Sequence, residues 1–247
     1  MTTTSVPDRG PTSVYASMMG VGRLLRRCKV YQGTSLQYHP YIGEVTVTEV
    51  STEGTQASTA KIPVTSHKMT PKTLTVEAAV SEIDLGLPGF RTALDEAVTK
   101  ALTNAVEQEV AKAIHTSAGA ATVVATNAAL LTRLGVWIVG GGGDQVDITD
   151  GMILVARQHA GVFFADFPAQ DRAGDIHNVL GLDLWFGTGV PDNNGVICNP
   201  QDVHVVFYGE PRVVPNPYGN PLLHSVTGIA NVGIAVMGNT TKAFKQS

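Results

Sequence analysis

The sequence contains few charged residues. Only 15% of its 247 residues are charged and 43% are hydrophobic, whereas a typical soluble domain has about 25% charged residues. Because charged side chains are depleted in the cores of interfaces, this composition fits a chain that buries much surface against other chains. It fits a compact β protein rich in glycine and threonine equally well. The net charge of −4 indicates that the chain as a whole is not an electrostatic nucleic-acid binder.

Cysteines and long apolar runs are also scarce. Cys28 and Cys198 lack the close spacing of a zinc motif and do not suggest a disulfide framework, so they are compatible with a reducing compartment. The longest apolar run, around residues 134–139, is far shorter than the ~20 residues that span a bilayer. No secretory signal follows Met1. These absences predict a soluble protein that is made inside a cell and has no membrane partner.

Motifs of catalysis and metal binding are missing as well. The sequence has no HExxH, GxSxG or paired-cysteine motif, and its seven histidines never stand four residues apart. The glycine run at residues 140–143 lacks the lysine of a phosphate-binding loop, which favours a flexible loop. Asp144, Asp147 and Asp150 resemble a loose cation-binding loop but lack its distal glutamate. The polar loop with Asp171, Arg172, Asp175 and His177 has no nucleophile that can be assigned from spacing. We therefore predict no catalytic, cofactor-binding or metal-binding residues and no enzyme activity.

The N-terminal part of the chain combines a polar tail with a basic cluster. Residues 1–20 are rich in Thr, Ser, Pro and Gly, which cannot build a core of their own, so we expect an arm that lies on other chains. The basic cluster consists of Arg23, Arg26, Arg27 and Lys29. It is interpreted as a nucleic-acid contact, as the solvated face of a short helix, or as a set of salt-bridge partners between subunits.

Residues 44–76 predict a long β-hairpin. Residues 44–50 alternate and are rich in β-branched side chains, Glu53 and Gly54 provide a turn, and residues 60–64 and 72–76 return as strands. Polar side chains dominate both faces, and a two-stranded ribbon of this kind is marginal alone in water. The segment is therefore predicted to rest on another chain or to be a plain surface hairpin.

A long amphipathic helix follows at about residues 90–115, where apolar side chains recur at three- and four-residue steps. A second helix is predicted at residues 127–139 and a buried strand at residues 152–156. Further strands are predicted at residues 180–186, 196–198, 203–208, 212–214, 222–226 and 228–237. One long helix followed by mixed strands and short helices indicates an α+β architecture.

The order of these elements resembles the HK97-type major capsid fold of tailed bacteriophages and of encapsulin nanocompartments. Four segments carry the resemblance: the hairpin that starts at Glu44-Val-Thr-Val, the strand at Leu74-Thr-Val-Glu-Ala-Ala-Val, the segment Asp150-Gly-Met-Ile-Leu-Val-Ala, and Leu180-Gly-Leu-Asp-Leu-Trp-Phe. The resemblance implies an N-arm at residues 1–43 and an extended E-loop hairpin at residues 44–73. It implies a peripheral domain at residues 74–130 and 201–227, with the spine helix at about 90–115. The axial domain would comprise residues 131–200 and 228–247.

The resemblance also implies a function. Pentamers and hexamers of identical subunits would tile an icosahedral shell around packaged double-stranded DNA, in a virion capsid assembled in the cytoplasm of a bacterial host. Separate scaffolding, portal or decoration proteins are possible further partners. The candidate inner-face DNA or inter-subunit contacts are Arg23, Arg26, Arg27 and Lys29, and the candidate E-loop contacts are Glu49, Glu53, Lys61 and Lys68.

Two alternatives remain open at this point. The near relative is an encapsulin-like shell that holds a cargo enzyme. The other is a small-oligomer α+β hydrolase or ligand-binding domain. The polar leading tail, in place of a cargo-docking helix, favours the phage capsid over the encapsulin.

Overall fold

The computed structural model describes residues 13–33, 38–42, 64–81, 89–139, 151–159, 178–179, 181–192, 194–216, 223–237 and 241–246. Its helices are α1 (Val14–Val21), α2 (Phe90–Ser117) and α3 (Asn127–Val139), with short 3-10 turns at Arg157–His159 and Pro200–Asp202. Its strands are β1 (Lys29–Gly33), β2 (Tyr38–Ile42), β3 (Val64–Lys68), β4 (Lys72–Ser81), β5 (Thr122–Val124), β6 (Met152–Ala156), β7 (Asn178–Val179), β8 (Leu182–Gly187), β9 (Asn194–Cys198), β10 (Val203–Tyr208), β11 (Arg212–Asn216), β12 (Leu223–Val236) and β13 (Lys242–Gln246).

The first sheet has five strands and is organised around β12. This strand pairs antiparallel with β4 and β11 along its first part and with β10 along its last part, from Val232 to Val236. Strand β1 then pairs in parallel with β10, so that Lys29 lies opposite His204. The two strands of this parallel pair lie far apart in the sequence, and the N-terminal segment is thereby built into the sheet.

The second sheet has six strands in the order β5-β13-β9-β6-β8-β7. Strand β6 is buried at all five positions because it has a strand on each side and apolar side chains packed on both faces. This burial explains its uninterrupted apolar sequence, which is typical of an interior strand. Strands β2 and β3 form a separate two-stranded sheet, in which Ile42 lies opposite Val64.

Helix α2 lies across the first sheet and is about 42 Å long at 1.5 Å per residue. It begins after Gly89, whose φ of 77° favours glycine, and ends two residues beyond the predicted end. Its buried face includes Val98, Leu102 and Val106. The helix approaches β12 closely at Gly228, where an added Cβ would lie 2.8 Å from a methyl group of Val98. No helix in the described ranges is long and apolar enough to cross a membrane.

One hydrophobic core joins the two sheets. It contains Leu154 and Val196 from the second sheet, Val205 and Val232 from the first, and the inner face of α2. A second cluster lies under α3 and includes Trp137, Ile153 and Phe244. Burial of large apolar side chains between both sheets stabilises them as one unit.

Several predicted boundaries do not coincide with the ends of the helices and strands. The division after residue 130 lies inside α3, which packs as a whole on the second sheet. The division after residue 227 lies inside β12, which is one continuous strand of the first sheet and was predicted as two. Strand β5 was assigned to the peripheral domain but pairs with β13 in the second sheet. Local turn signals cannot reveal these long-range pairings, which decide the membership of each strand.

The hairpin and arm predictions also need correction. Residues 72–76 belong to β4, which pairs with β12 in the first sheet and not with the hairpin. The pair that the structure describes at the base of the hairpin is β2 with β3, and β2 lies within the predicted arm. Residues 13–33 of that arm pack on their own chain, because Met18, Leu24 and Leu25 are fully buried in the main core.

Gly195 is required by close packing, and its substitution gives a first prediction. Gly195 lies opposite Phe244 in the β9–β13 pair, and an added Cβ would lie 2.1 Å from the aromatic ring. We expect Gly195→Ala to lower the free energy of unfolding by about 1–3 kcal/mol through overpacking. The control is Gly135→Ala in α3, where nothing lies within 4 Å of the added Cβ, and where alanine is expected to gain about 1 kcal/mol. Urea unfolding of both variants checks the opposite signs, and equal effects would contradict the packing argument.

Candidate functional site

The N-terminal segment of residues 13–33 crosses the junction between the two sheets. Helix α1 is capped by Ser13, whose hydroxyl accepts a hydrogen bond from the Ala16 N–H at 3.3 Å. After the helix, residues 23–27 form a series of turns that leads into β1. Tyr15 packs edge-on against Phe207 of the first sheet with ring centroids 5.5 Å apart. The segment is therefore an internal part of the subunit.

Glu107 of α2 fastens this segment to the long helix. Its Oε1 accepts hydrogen bonds from the backbone N–H groups of Leu24 at 2.6 Å and Leu25 at 3.1 Å. The side chain of Trp185 in β8 adds a further hydrogen bond to the carboxylate. Glu107 is only 6% exposed. One buried carboxylate thus connects α2, the N-terminal turns and the second sheet. Removal of one partner from a buried hydrogen-bonded group of this kind strongly destabilises a protein.

Burial raises the pKa of the Glu107 carboxyl, because the charged form loses its hydration. The hydrogen bonds from Leu25, Leu24 and Trp185 and the charge of Arg23 act in the opposite direction and offset part of that rise. The net direction remains upward. The hydrogen bonds themselves favour the charged carboxylate, but burial outweighs them, so that the folded state is favoured when the carboxyl is protonated and the stability of the protein depends on pH.

The four predicted basic residues have different surroundings. Arg27 forms an ion pair with Asp183 of β8 at 2.8 Å, and its carbonyl accepts a hydrogen bond from Gln201 Nε2 at 2.9 Å. Arg26 donates from Nε to the carbonyl of Gly22 at 3.0 Å. Lys29 is exposed at the start of β1. Arg27 and Arg26 thus contact their own chain, which favours the structural interpretation for these two residues.

Arg23 lines a polar cavity of about 460 Å³ at the same junction. The cavity lies between α2, the N-terminal segment, the end of β6 and strand β8. Its other polar and aromatic lining residues include Lys100, Asn104, Glu107, Gln108, Arg157 and Trp185. Arg23, Lys100 and Arg157 are exposed. The structure therefore brings together three cationic residues that are widely separated in the sequence.

The predicted hairpin contacts lie largely outside the described residues. Glu49, Glu53 and Lys61 fall outside them, and Lys68 ends strand β3. The next residue, Met69, is buried with Val206 of the first sheet and with Met237, which directly follows β12. The chain that follows β3 is thus attached to the body of the same subunit.

Sequence reasoning missed Glu107, Lys100 and Arg157 as site residues. In the sequence Glu107 stands between the apolar positions that mark the inner face of α2. A signal for its burial was present, because Thr99, Thr103 and Ala111 stand at four-residue steps from it and are buried too. These small residues form a second buried row beside the apolar one. Lys100 and Arg157 carry no local signal, since only the fold places them near Arg23.

No family model and no curated protein matches this sequence. Solved structures do match. A chain of the native GTA particle capsid aligns over 100% of this chain and 94% of its own, with 14% identity and a TM-score of 0.60. A chain of the satellite phage P4 procapsid aligns over 96% and 91%, with 12% identity and a TM-score of 0.64. The chain has an HK97-like capsid fold. A virus-like particle from Pyrococcus furiosus matches this capsid fold as well, over 94% of this chain and 96% of its own, with 9% identity and a TM-score of 0.60.

The capsid fold confirms the predicted α+β class and the predicted family resemblance. At 9–14% identity the comparison concerns the fold, so individual residues are not transferred from these structures. The junction site of Glu107, Arg23, Lys100 and Arg157 rests on this chain's own geometry.

Proposed function

We propose that the protein is the major capsid protein of a tailed bacteriophage or a close relative, with a structural role and no catalytic one. The observation that carries the proposal is the match to capsid structures over nearly the whole chain. Identical subunits would assemble as pentamers and hexamers into an icosahedral shell that encloses double-stranded DNA. The subunits would assemble in the cytoplasm of a bacterial host and remain in the virion.

The construction of the subunit supports a mechanical function. Two sheets share one closely packed core, and α2 packs on the first of them. Contacts between such subunits can be individually weak, because closed symmetry repeats each contact many times. Val123 supports this view, since it is 66% exposed on β5, a strand at the edge of the second sheet. We assign this edge a contact with a neighbouring subunit.

We also propose an E-loop and an N-arm, the latter over fewer residues than the sequence predicted. The hairpin would extend from the β2–β3 pair and rest on an adjacent subunit, with Glu49, Glu53, Lys61 and Lys68 as candidate contacts. The arm is proposed for residues 1–12, since residues 13–33 pack within the subunit. Helix α2 would be the spine helix. The first sheet would form the peripheral domain and the second the axial domain.

The DNA contact also takes a narrower form. Arg23 lines the cavity and Lys29 is exposed, so both stay candidates, and Arg26 and Arg27 keep the structural interpretation indicated by the hydrogen bond to Gly22 and the ion pair with Asp183. Contact with packaged DNA would be non-specific, because phosphate attraction requires only positive charge. Scaffolding, portal or decoration proteins are proposed as further partners.

A second candidate function is an encapsulin-like shell that encloses a cargo enzyme. The structural match to the virus-like particle from Pyrococcus furiosus supports this second candidate. The contents of purified particles separate the two functions, because DNA favours the phage capsid and a co-purified enzyme favours the encapsulin.

Analytical ultracentrifugation tests the shell proposal against a small oligomer. We expect a large fraction of the purified protein to sediment as particles of very many subunits. A hydrolase or ligand-binding domain would instead sediment as one or two chains of 26.0 kDa each. If only these small species sediment across a range of protein and salt concentrations, the proposal is contradicted.

A further inference from the structure

The cavity at the junction of the two sheets carries an excess of positive charge. Its three cations come from separate parts of the fold: Arg23 from the N-terminal segment, Lys100 from α2 and Arg157 from the turn after β6. Glu107 is the one acidic residue among the described residues that line it. Charge of one sign in a cavity with low-dielectric walls focuses the electrostatic field and attracts the opposite charge. This local excess contrasts with the net charge of −4 of the chain.

Glu107 offsets only part of the positive charge, because it interacts with the charge of Arg23, and no other acidic residue among the described lining residues balances Lys100 and Arg157. Glu107 Oε1 accepts the backbone N–H groups of Leu24 and Leu25, and its side chain is almost fully buried. The cations, by contrast, are on the exposed side of the cavity, where a ligand from solvent reaches them. Asn104 and Gln108 lie on the same side of α2 and add amide N–H donors to the lining.

We propose that this cavity binds phosphate groups. Cationic side chains and amide donors are the groups that recognise phosphate oxygens, and Arg and Lys form charge-assisted hydrogen bonds with them. A volume of about 460 Å³ lies within the usual range of ligand sites. The phosphate comes either from a free phosphate compound or from a nucleic-acid backbone. The nucleic-acid source rests on the proposed shell function, whereas the phosphate chemistry does not.

Calorimetric titration with inorganic pyrophosphate tests the site. The variant Lys100→Glu with Arg157→Glu reverses two of the three cations, and it is expected to raise the apparent Kd at least about tenfold. The matched control is Lys112→Glu with Arg212→Glu, which changes the net charge equally at exposed positions that do not line this cavity. We expect the control to change the Kd less than about twofold, because distant charges are screened within about 8 Å at physiological salt.

A second measurement identifies the source of the phosphate. Binding of a double-stranded oligonucleotide is measured by fluorescence anisotropy at several salt concentrations. If the backbone occupies the cavity, the log–log salt slope becomes shallower by about 2 in the cavity variant and stays unchanged in the control. If pyrophosphate binding is lost while the slope is retained, the ligand is a free phosphate compound. Either result supports the phosphate site.

Two results would overturn the inference: no pyrophosphate binding by the wild-type protein at millimolar concentration, or equal weakening in both charge-reversed variants. Should charge reversal destabilise the subunit, Lys100→Gln with Arg157→Gln repeats the test without introducing acidic groups. Electron microscopy of the same samples keeps the two proposals separate. Shells without pyrophosphate binding contradict the phosphate site alone, and binding without shells contradicts the capsid function alone.

Discussion

Replacing residues 43–63 with a four-residue Gly–Ser linker is expected to leave a folded subunit that no longer forms closed shells. Ile42 and Val64 are register partners in the β2–β3 pair, so a short turn can connect them without moving either strand. The replacement stops short of Met69, which is buried in the body of the subunit. Shortening a loop changes the free energy of loop closure only slightly, by about 0.6 kcal/mol for each halving.

The reason for the expected loss of assembly is the polar character of the removed segment. A ribbon with little apolar surface contributes little to its own subunit, and contacts with neighbours then account for its presence. The thermal midpoint and the far-UV circular dichroism of the variant report its fold, and negative-stain microscopy reports shells. Normal shells from the shortened chain would contradict the E-loop assignment. An unfolded variant would contradict the view that the segment lies outside the core.

Glu107→Ala is expected to lower the free energy of unfolding by about 3 kcal/mol, because two buried backbone N–H groups lose their acceptor. Glu107→Gln retains one acceptor oxygen and should lose about 1 kcal/mol. The matched control is Glu109→Ala on the same helix. Glu109 pairs with the exposed Lys72 at 2.6 Å, and loss of such a surface pair costs under about 1 kcal/mol. Urea unfolding of the unassembled subunit gives the three values. Equal losses for Glu107→Ala and Glu109→Ala would contradict the role assigned to Glu107.

The Glu107 carboxyl is also expected to make the free energy of unfolding depend on pH, with a sign that follows from its pKa. The pKa of Glu107 is raised in the folded protein above its ordinary value of 4.5. The folded state therefore binds more protons than the unfolded state above about that pH, and stability falls as the pH rises through the folded pKa. Glu107→Gln cannot titrate and should lack this slope. The difference in urea midpoint between wild type and Glu107→Gln, measured from pH 4 upward, checks the prediction. Parallel pH profiles for the two proteins would contradict it.

Elements with a strong local pattern were predictable from the sequence. Helix α2 has apolar side chains at helical spacing over most of its length, and α3 was predicted with its observed bounds. Strand β6 is a short apolar run between turn signals, which identifies an interior strand. Each of these elements is specified by residues within a few positions of one another.

Features that depend on distant partners were not predictable in the same way. Strand β1 has a mixed sequence and becomes a strand because it pairs with β10 across more than 170 residues. The basic cluster looked uniform in the sequence, yet Arg27 pairs with Asp183 while Arg23 faces the cavity. The small residues at four-residue steps from Glu107 indicate that this side of the helix is buried, but nothing nearby in the sequence indicates that the backbone of Leu24 and Leu25 covers it.

Cryo-electron microscopy of the purified protein tests the capsid proposal most directly. The account predicts closed particles with icosahedral symmetry, in which β2 and β3 point toward an adjacent subunit while residues 13–33 remain against the core of their own chain. Isolated subunits or small closed oligomers, with the hairpin folded on its own chain, would contradict it.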